Sequence, residues 1–152
     1  MVLYNGSLQE FATEMLCKGR GNGTMCMVCT IAEEIVTDME IMGEGLFCRN
    51  VFVTQRQIFK YRNHPKSTKG ANLPLSEYSL IEKALKNPAC IYEDTVQNRL
   101  VYVYTYPYHE KYFVKVVVEP NYKMKGLILN IAKSWGVVEG TKMGGRQYRR
   151  IK

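Results

Sequence analysis

The stretch RLVYVYTYPYHEKYFVKVVVE, residues 99–119, decides the fold, because it holds two alternating segments separated by a short turn. In residues 99–106, Leu100 and every second residue after it lie on one side, which is the period of a β-strand. Residues 112–119 form a second segment, rich in β-branched residues, with Lys115 on one of its faces. The sequence therefore predicts an antiparallel hairpin here.

The same pattern continues on both sides of this hairpin. Pro120 is expected to end the second strand, and residues 126–138 read as a third long strand. Residues 90–92 are expected to pair in front as a short edge strand. Short connections between successive strands favour an antiparallel meander over parallel crossovers. In the third strand, strict alternation predicts one shared side for Leu127, Leu129, Ile131 and Trp135.

Two helices are predicted just before the meander. The first is capped by Thr54 and is broken before Pro65. The second runs from Ser76, its predicted cap, to Asn87, which precedes a proline. In the first helix Arg56, Lys60 and Asn63 or His64 can share one face, and the second carries apolar residues at helical spacing. The sequence predicts a helix pair that packs on the strands.

The N-terminal third also looks helical. Ser7 followed by Glu10 forms a capping box, and an apolar stripe continues to about Cys17. A second amphipathic helix is predicted from about Thr24 to Met39, with an acidic outer face. The expected role of this acidic hairpin is that of a lid or of a docking surface for a protein partner.

Together these elements predict an α+β protein: N-terminal helices, then a helix pair packed on a four-stranded antiparallel meander. The expected division is a helical segment over residues 1–51, which is an adaptor or a lid, a main domain over residues 52–141, and a basic tail over residues 142–152.

Charge is distributed unevenly along the 152 residues, whose net charge is +7. Residues 1–51 contain three Lys or Arg against seven Asp or Glu, whereas residues 99–152 contain eleven against three. A basic sheet and tail of this kind typically meet nucleic acid or another polyanion. The alternative is a solvated basic surface without a ligand.

The number of cysteines and the length of the apolar runs bear on the cellular location that the sequence predicts. No run approaches the roughly 18 apolar residues of a membrane span, and no signal-peptide pattern opens the chain. An odd number of cysteines without such a signal favours reduced thiols and a cytoplasmic location, with no membrane partner. Cys17, Cys26, Cys29 and Cys48 could bind zinc, but burial as small apolar residues is the better-supported interpretation.

Several classes of catalytic site are excluded by missing motifs. The chain has no P-loop, no GxGxxG turn and no deaminase signature, and too few carboxylates follow residue 98 for a two-metal phosphodiesterase. Metal-independent cleavage of RNA remains, because RNA supplies its own 2′-hydroxyl nucleophile, and His, Lys, Arg, Tyr and Ser side chains suffice for the proton transfers and for charge stabilisation. His64, Lys115 and Ser134 are of these types.

Four stretches of the chain resemble the phage-associated branch of the barnase/EndoU/colicin/RelE-like (BECR) nuclease superfamily. The resemblance covers about residues 52–138. It rests on Ile58–Pro65, Leu85–Ile91, Tyr112–Val118 and Ile128–Trp135. It implies a metal-independent endoribonuclease without a cofactor, of the kind used as a toxin or phage-delivered effector on RNA or tRNA. Its functional residues carry over to His64, Lys115 and Ser134.

The resulting hypothesis assigns a role to each residue. His64 is the acid or base, Lys115 with Arg62 stabilises the transition state, and Ser134 with Tyr104 positions the phosphate. The predicted substrate-binding residues are Tyr102, Tyr104, Lys60, Asn130, Lys133, Arg149 and Arg150.

Alternatives remain for both the residues and the function. Lys115 could be a plain solvent-facing lysine, and the tyrosines could pack against a helix. The protein could equally be a non-catalytic RNA- or protein-binding phage module, or an inhibitor that docks through its acidic helices.

Overall fold

A computed structural model of the chain describes residues 2–18, 23–38, 45–46, 48–63, 73–140 and 148–152. Within these ranges the strands are β1 (Val2–Leu3), β2 (Thr24–Thr30), β3 (Asn50–Thr54), β4 (Cys90–Asp94), β5 (Arg99–Thr105), β6 (Tyr112–Met124), β7 (Leu127–Glu139) and β8 (Tyr148–Arg150). The α-helices are α1 (Leu8–Lys18), α2 (Glu33–Asp38), α3 (Gln55–Asn63) and α4 (Ser79–Lys86), and a 3₁₀ turn spans Leu75–Glu77.

All of these strands belong to one mixed sheet in the order β1-β2-β3-β7-β6-β5-β4-β8. Strands β4 to β7 are antiparallel neighbours in chain order, whereas β3 pairs with β7 in parallel. The α+β class is confirmed. The sheet is larger than the four strands predicted, and β4 is not its edge, because β8 pairs along its outer side.

The predicted helix from Thr24 to Met39 is wrong. Residues 24–30 form β2, which pairs with β3, and only Glu33–Asp38 is helical. A register shift between Met27 and Cys29 interrupts the alternation of β2. The buried residues of this strand therefore recur every three positions, as they would in a helix. The predicted boundary between residues 51 and 52 falls inside β3, so the predicted N-terminal segment contributes strands to the common sheet.

Two of the three predicted helix caps are confirmed. The Ser7 hydroxyl accepts the Glu10 backbone N–H at 3.1 Å, and the Glu10 carboxylate accepts the Ser7 backbone N–H at 3.4 Å, which completes the capping box. The Thr54 hydroxyl accepts the N–H of Gln57 at 3.3 Å. Ser76 is not a cap, because it lies in the 3₁₀ turn and α4 begins only after Tyr78.

The buried side chains of the described helices lie in one apolar cluster with one face of the sheet, which we call the covered face. Trp135 of β7 is at its centre, with ring centroids 4.7 Å from Tyr61 and 5.7 Å from Tyr78. From β5, Leu100 and Tyr102 point into this cluster, as the alternation of that strand predicted.

A bulge in β7 decides which residues join the covered face. Lys133 has no cross-strand partner: Ser134 pairs with Val117, and Ala132 pairs with Val118. Ala132 and Trp135 consequently both lie in the core of the covered face, while Ile131 belongs to a separate cluster. The prediction that Trp135 shares a side with Ile131 is wrong, because one extra residue reverses the alternation.

A second irregularity carries β6 past Pro120, which was predicted to end it. Pro120 and Asn121 together oppose Asn130, and Asn121 has a φ of 52°. A proline is tolerated at such a bulge because its missing N–H has no ladder position to fill. The hairpin then closes through Lys125 and Gly126, whose φ values of 45° and 82° are those of a mirror-image two-residue turn.

The C-terminal residues are part of the sheet. β8 pairs with β4, and the Arg149 side chain donates to one oxygen of the Glu93 carboxylate from Nε (3.0 Å) and Nη2 (2.8 Å). Glu93 is completely buried, so this ion pair replaces the hydration that its carboxylate loses. Residues 148–152 are therefore not a free basic tail, and residues 141–147 lie outside the described residues.

We expect Arg149→Met to lower the free energy of unfolding by roughly 2 to 4 kcal/mol, because it leaves the buried Glu93 carboxylate without this partner. Arg150→Met is the matched control, since Arg150 is exposed and should change stability by no more than about 0.5 kcal/mol. Urea denaturation measures both. Equal midpoints for the two variants would contradict the assigned role of the ion pair.

Candidate nucleic-acid interface

The face of the sheet opposite the covered face, which we call the open face, carries cationic and aromatic side chains. None of the described helices packs on it. Part of it is a small apolar cluster of Met25, Phe52 and Ile131, with Tyr122 and Leu129 at its border. Beside this cluster the open face carries Lys115, Val117 and Glu119 of β6, Lys133 of β7, Arg99 of β5 and Tyr148 of β8.

Lys115 extends across the open face toward the C-terminal strand. Its Nζ lies 5.8 Å from the centroid of the Tyr148 ring. Strands β5 and β4 separate β6 from β8, so the two side chains must reach toward each other over those strands. Val101 and Val103 of β5 are only 1% and 3% exposed, as expected if these long side chains cover them.

Lys133, at the bulge, forms a second pair of the same kind. Its Nζ lies 4.6 Å from the centroid of the Tyr122 ring, within the range of a cation–π contact. Between the two lysines, Arg99 donates to Glu119 at 3.2 Å, and both side chains are about one quarter exposed. The open face thus presents two lysine charges held on aromatic rings, with a neutralised ion pair beside them.

Ser134 lies where β3 separates from β7. The two strands pair only at Val51 with Asn130 and at Phe52 with Ile131. Beyond this point the Tyr61 hydroxyl donates to the Lys133 carbonyl at 3.5 Å. Burial raises the pKa of Tyr61, and a hydrogen bond from the Ser134 side chain partly offsets this rise. Tyr61 is therefore a neutral donor at neutral pH.

The structure brings some predicted catalytic residues near one another. Ser134 is opposite Val117, which is two residues from Lys115 on the same strand. The contacts of the two side chains differ, however, because Lys115 reaches Tyr148 and Ser134 contacts Tyr61. His64 lies outside the described residues.

The predicted residues of α3 are near the Ser134 end of this region. Arg62 is in the last turn of α3, one residue after Tyr61. Lys60 is exposed, with its Nζ 5.9 Å from the Tyr61 ring centroid. The Lys60 ammonium group therefore lies near Tyr61, which contacts Ser134.

The two tyrosines predicted to stack on bases belong to the covered face. Tyr102 is 3% exposed, and burial strongly raises the pKa of its phenol. Tyr104 is half-buried and packs against the same core. In this structure the ring of Tyr102 offers no surface for a base, in agreement with the alternative that these tyrosines pack against the helices.

Asn130 and the two C-terminal arginines have internal partners. The Asn130 amide is fully buried, donates to the carbonyls of Cys48 (2.8 Å) and Asn50 (3.0 Å), and accepts the Asn121 N–H at 3.1 Å. These bonds connect β3, β7 and the bulge of β6. Arg149 pairs with Glu93, and Arg150 donates from Nε to the Lys152 carbonyl at 3.1 Å.

The four cysteines predicted as possible zinc ligands differ in their exposure to solvent. Cys26 and Cys29 lie in the core of the covered face, whereas Cys17 is exposed and Cys48 is half-buried. Within the described ranges, no three His, Cys, Asp or Glu side chains are grouped closely enough to hold a metal ion. Burial raises the pKa of the Cys26 thiol to about 11 and that of Cys29 to about 12.

Sequence reasoning missed Tyr122 and Tyr148 as partners of the two lysines. Tyr148 stands among arginines in the sequence RQYRR, and such interleaving of aromatic and basic residues is a usable signal for nucleic-acid contact. Tyr122 was missed because Pro120 was predicted to end β6, whereas the strand continues to Met124.

Comparisons with known proteins leave the family open. No protein-family model, curated protein or solved structure matches this chain. The helices in the described ranges also lack the combination of length and apolar character that a membrane span requires.

We expect Asn130→Ala to lower the free energy of unfolding by roughly 2 to 4 kcal/mol, because it removes three hydrogen bonds of a fully buried side chain. Asn5→Ala, at an exposed position, is the control. Thermal or urea unfolding distinguishes this structural role from a substrate contact. A fully stable Asn130→Ala protein would contradict it.

The raised thiol pKa values and the burial of Cys26 and Cys29 predict which cysteines react in the folded protein. At pH 8 only about one in a thousand Cys26 thiols is ionised, three units below its pKa, and burial further restricts access. Iodoacetamide should therefore modify Cys17 in the folded protein and spare Cys26 and Cys29, with modification of all three in urea. Peptide mass spectrometry reads the pattern. Rapid labelling of Cys26 in the folded protein would contradict the assignment.

Proposed function

We propose that the protein is a metal-independent ribonuclease that binds RNA along the open face and cleaves it at the β6–β7 bulge. The observation that carries this proposal is the bulge itself, where Lys133 and Ser134 together oppose Val117, two residues from Lys115. Bulges often redirect side chains at active sites. This one places the backbone positions of Lys133 and Ser134 beside the strand that carries Lys115.

Each of these groups has a use in the transesterification of RNA. The 2′-hydroxyl loses a proton and attacks the adjacent phosphorus, and the 5′-oxygen leaves with a proton, so the products are a 2′,3′-cyclic phosphate and a 5′-hydroxyl. Lys115 and Lys133 would stabilise the additional negative charge on the phosphoryl oxygens. The Ser134 hydroxyl would donate a hydrogen bond to a phosphate oxygen.

His64 would be the acid or the base of this reaction. Tyr61, in the last turns of α3, contacts Ser134, and His64 follows three residues later in the sequence. A histidine titrates near neutral pH, so it suits proton transfer at both stages of the reaction. The resemblance to BECR nucleases assigns the same role to His64.

The charge distribution also supports a polyanionic substrate. Lysine charges on aromatic rings, Lys115 with Tyr148 and Lys133 with Tyr122, provide phosphate contacts beside surfaces on which bases could stack. An RNA substrate implies action in a cytoplasm, for example that of a bacterial host reached by a phage-delivered effector.

A second candidate function is binding of single-stranded RNA without cleavage. The observation that favours it is that Lys115 and Ser134 contact different neighbours instead of meeting at one point. Formation of 2′,3′-cyclic phosphate ends separates the two candidates.

We expect the protein to cleave total RNA in the presence of EDTA, and Lys115→Met to reduce kcat/KM by about 10²-fold or more, because a cation at the phosphoryl oxygens is lost. The matched control is Lys83→Met, since Lys83 is exposed on α4, and its kcat/KM should stay within about twofold of wild type. End-group analysis and a fluorogenic RNA substrate provide the measurement.

The outcomes of this assay are distinct. RNA binding without formation of 2′,3′-cyclic phosphate ends would contradict the nuclease proposal and favour the RNA-binding module. Equal kcat/KM values for Lys115→Met and Lys83→Met would exclude Lys115 from the catalytic site. Ser134→Ala and His64→Ala, assayed in the same way, test the hydroxyl group and the acid or base separately.

A further inference from the structure

The C-terminal strand brings an aromatic ring to a lysine that is distant in the sequence. Tyr148 of β8 and Lys115 of β6 are in contact although β5 and β4 lie between their strands. Lys115 has four rotatable side-chain bonds, so its ammonium group needs an external contact if it is to keep one position. Among the described residues, Tyr148 provides that contact.

β8 is firmly attached to the sheet. Arg149, the residue after Tyr148, bonds to the buried Glu93 carboxylate, and the backbone of Ile91 pairs with Ile151 and Lys152. Successive residues of a strand point to opposite faces, so Arg149 anchors β8 from one side while Tyr148 lies on the other. Docking of β8 therefore determines where the Tyr148 ring lies.

The neighbourhood of Tyr148 restricts its ring as well. Tyr92 of β4 meets it edge to face, with centroids 6.5 Å apart. Val101 and Val103 lie buried on the same face between β6 and β4. The ring is thus supported by β4, and the ammonium group of Lys115 has a fixed partner.

We propose that Tyr148 is a positioning residue for Lys115, and that the C-terminal strand β8 is a functional part of the RNA site. This inference rests on the proposed ribonuclease function of Lys115. The attraction between the ammonium group and the π face of the ring holds Lys115 over the open face. A carboxylate partner would neutralise the lysine charge, whereas the ring does not. The charge stays available to a phosphate.

Removal of the Tyr148 ring should therefore reduce the turnover rate more than the affinity for substrate. Without the ring, Lys115 samples other rotamers and is aligned with the phosphoryl group for a smaller fraction of the time. The loss should appear mainly in kcat, which we expect to fall about tenfold, with KM changed less. Loss of a purely structural contact would reduce stability and leave kcat of the folded protein unchanged.

The test compares Tyr148→Phe, which keeps the ring, with Tyr148→Leu, which keeps apolar cover but removes the ring. Tyr148→Phe should retain wild-type kcat, and Tyr148→Leu should lose it. A second readout does not require activity. Limited acetylation with acetic anhydride, quantified by peptide mass spectrometry, should modify Lys115 about two- to fivefold faster in Tyr148→Leu than in wild type or Tyr148→Phe. Lys83 serves as the internal reference.

Each outcome decides the proposal. Equal acetylation of Lys115 in all three proteins, or equal kcat in Tyr148→Leu and wild type, would overturn it. Should wild type not cleave RNA, the proposed nuclease function fails separately. Acetylation then decides alone: faster modification of Lys115 in Tyr148→Leu than in wild type and Tyr148→Phe supports positioning, and equal modification overturns it. Should Tyr148→Leu fail to fold, Tyr148→Met replaces it.

Discussion

The unpaired Lys133 in β7 is the constraint on which the two faces of the sheet depend. Because of this one-residue bulge, Ala132 and Trp135 both contribute to the covered face, where the Trp135 ring packs against Tyr61 and Tyr78. Lys133 itself lies on the open face, over Tyr122. A regular strand would place Trp135 on the open face instead, and the helices would lose their central contact.

The two faces have different physical tasks. The covered face contributes most of the apolar burial, since the buried residues of the described helices and of six strands, β2 to β7, meet there. The open face has only a small apolar cluster and can therefore carry lysines with their charges accessible. Most of the apolar burial and the proposed RNA contacts are thus located on opposite sides of one sheet, so a substitution at one need not affect the other. Glu93 and Arg149 are the exception, because the bond from Arg149 to the buried Glu93 carboxylate holds the strand that carries Tyr148.

The accuracy of the sequence predictions follows the regularity of each element. Strand β5 has no register shift, so its alternation correctly assigned Leu100 and Tyr102 to one side. In β2 and β7 a bulge mimicked helical spacing or reversed a face, and a single sequence contains no marker for an inserted residue. For the candidate site, Lys115 was recognised as a cation within an apolar strand. The burial of Asn130 was not, because its partners Cys48 and Asn50 are about 80 residues away in the chain.

By itself the amino-acid sequence determined what depends on neighbouring residues: the long strands, the caps at Ser7 and Thr54, and the uneven charge. Alternation and capping act over two to four residues, so they can be read directly from the order of side chains. The tertiary structure alone decided that β3 joins β7, that β8 closes the edge of β4, and that Tyr148 meets Lys115. These contacts connect distant segments, and they form because backbone edges and buried charges need partners wherever the folded chain can provide them.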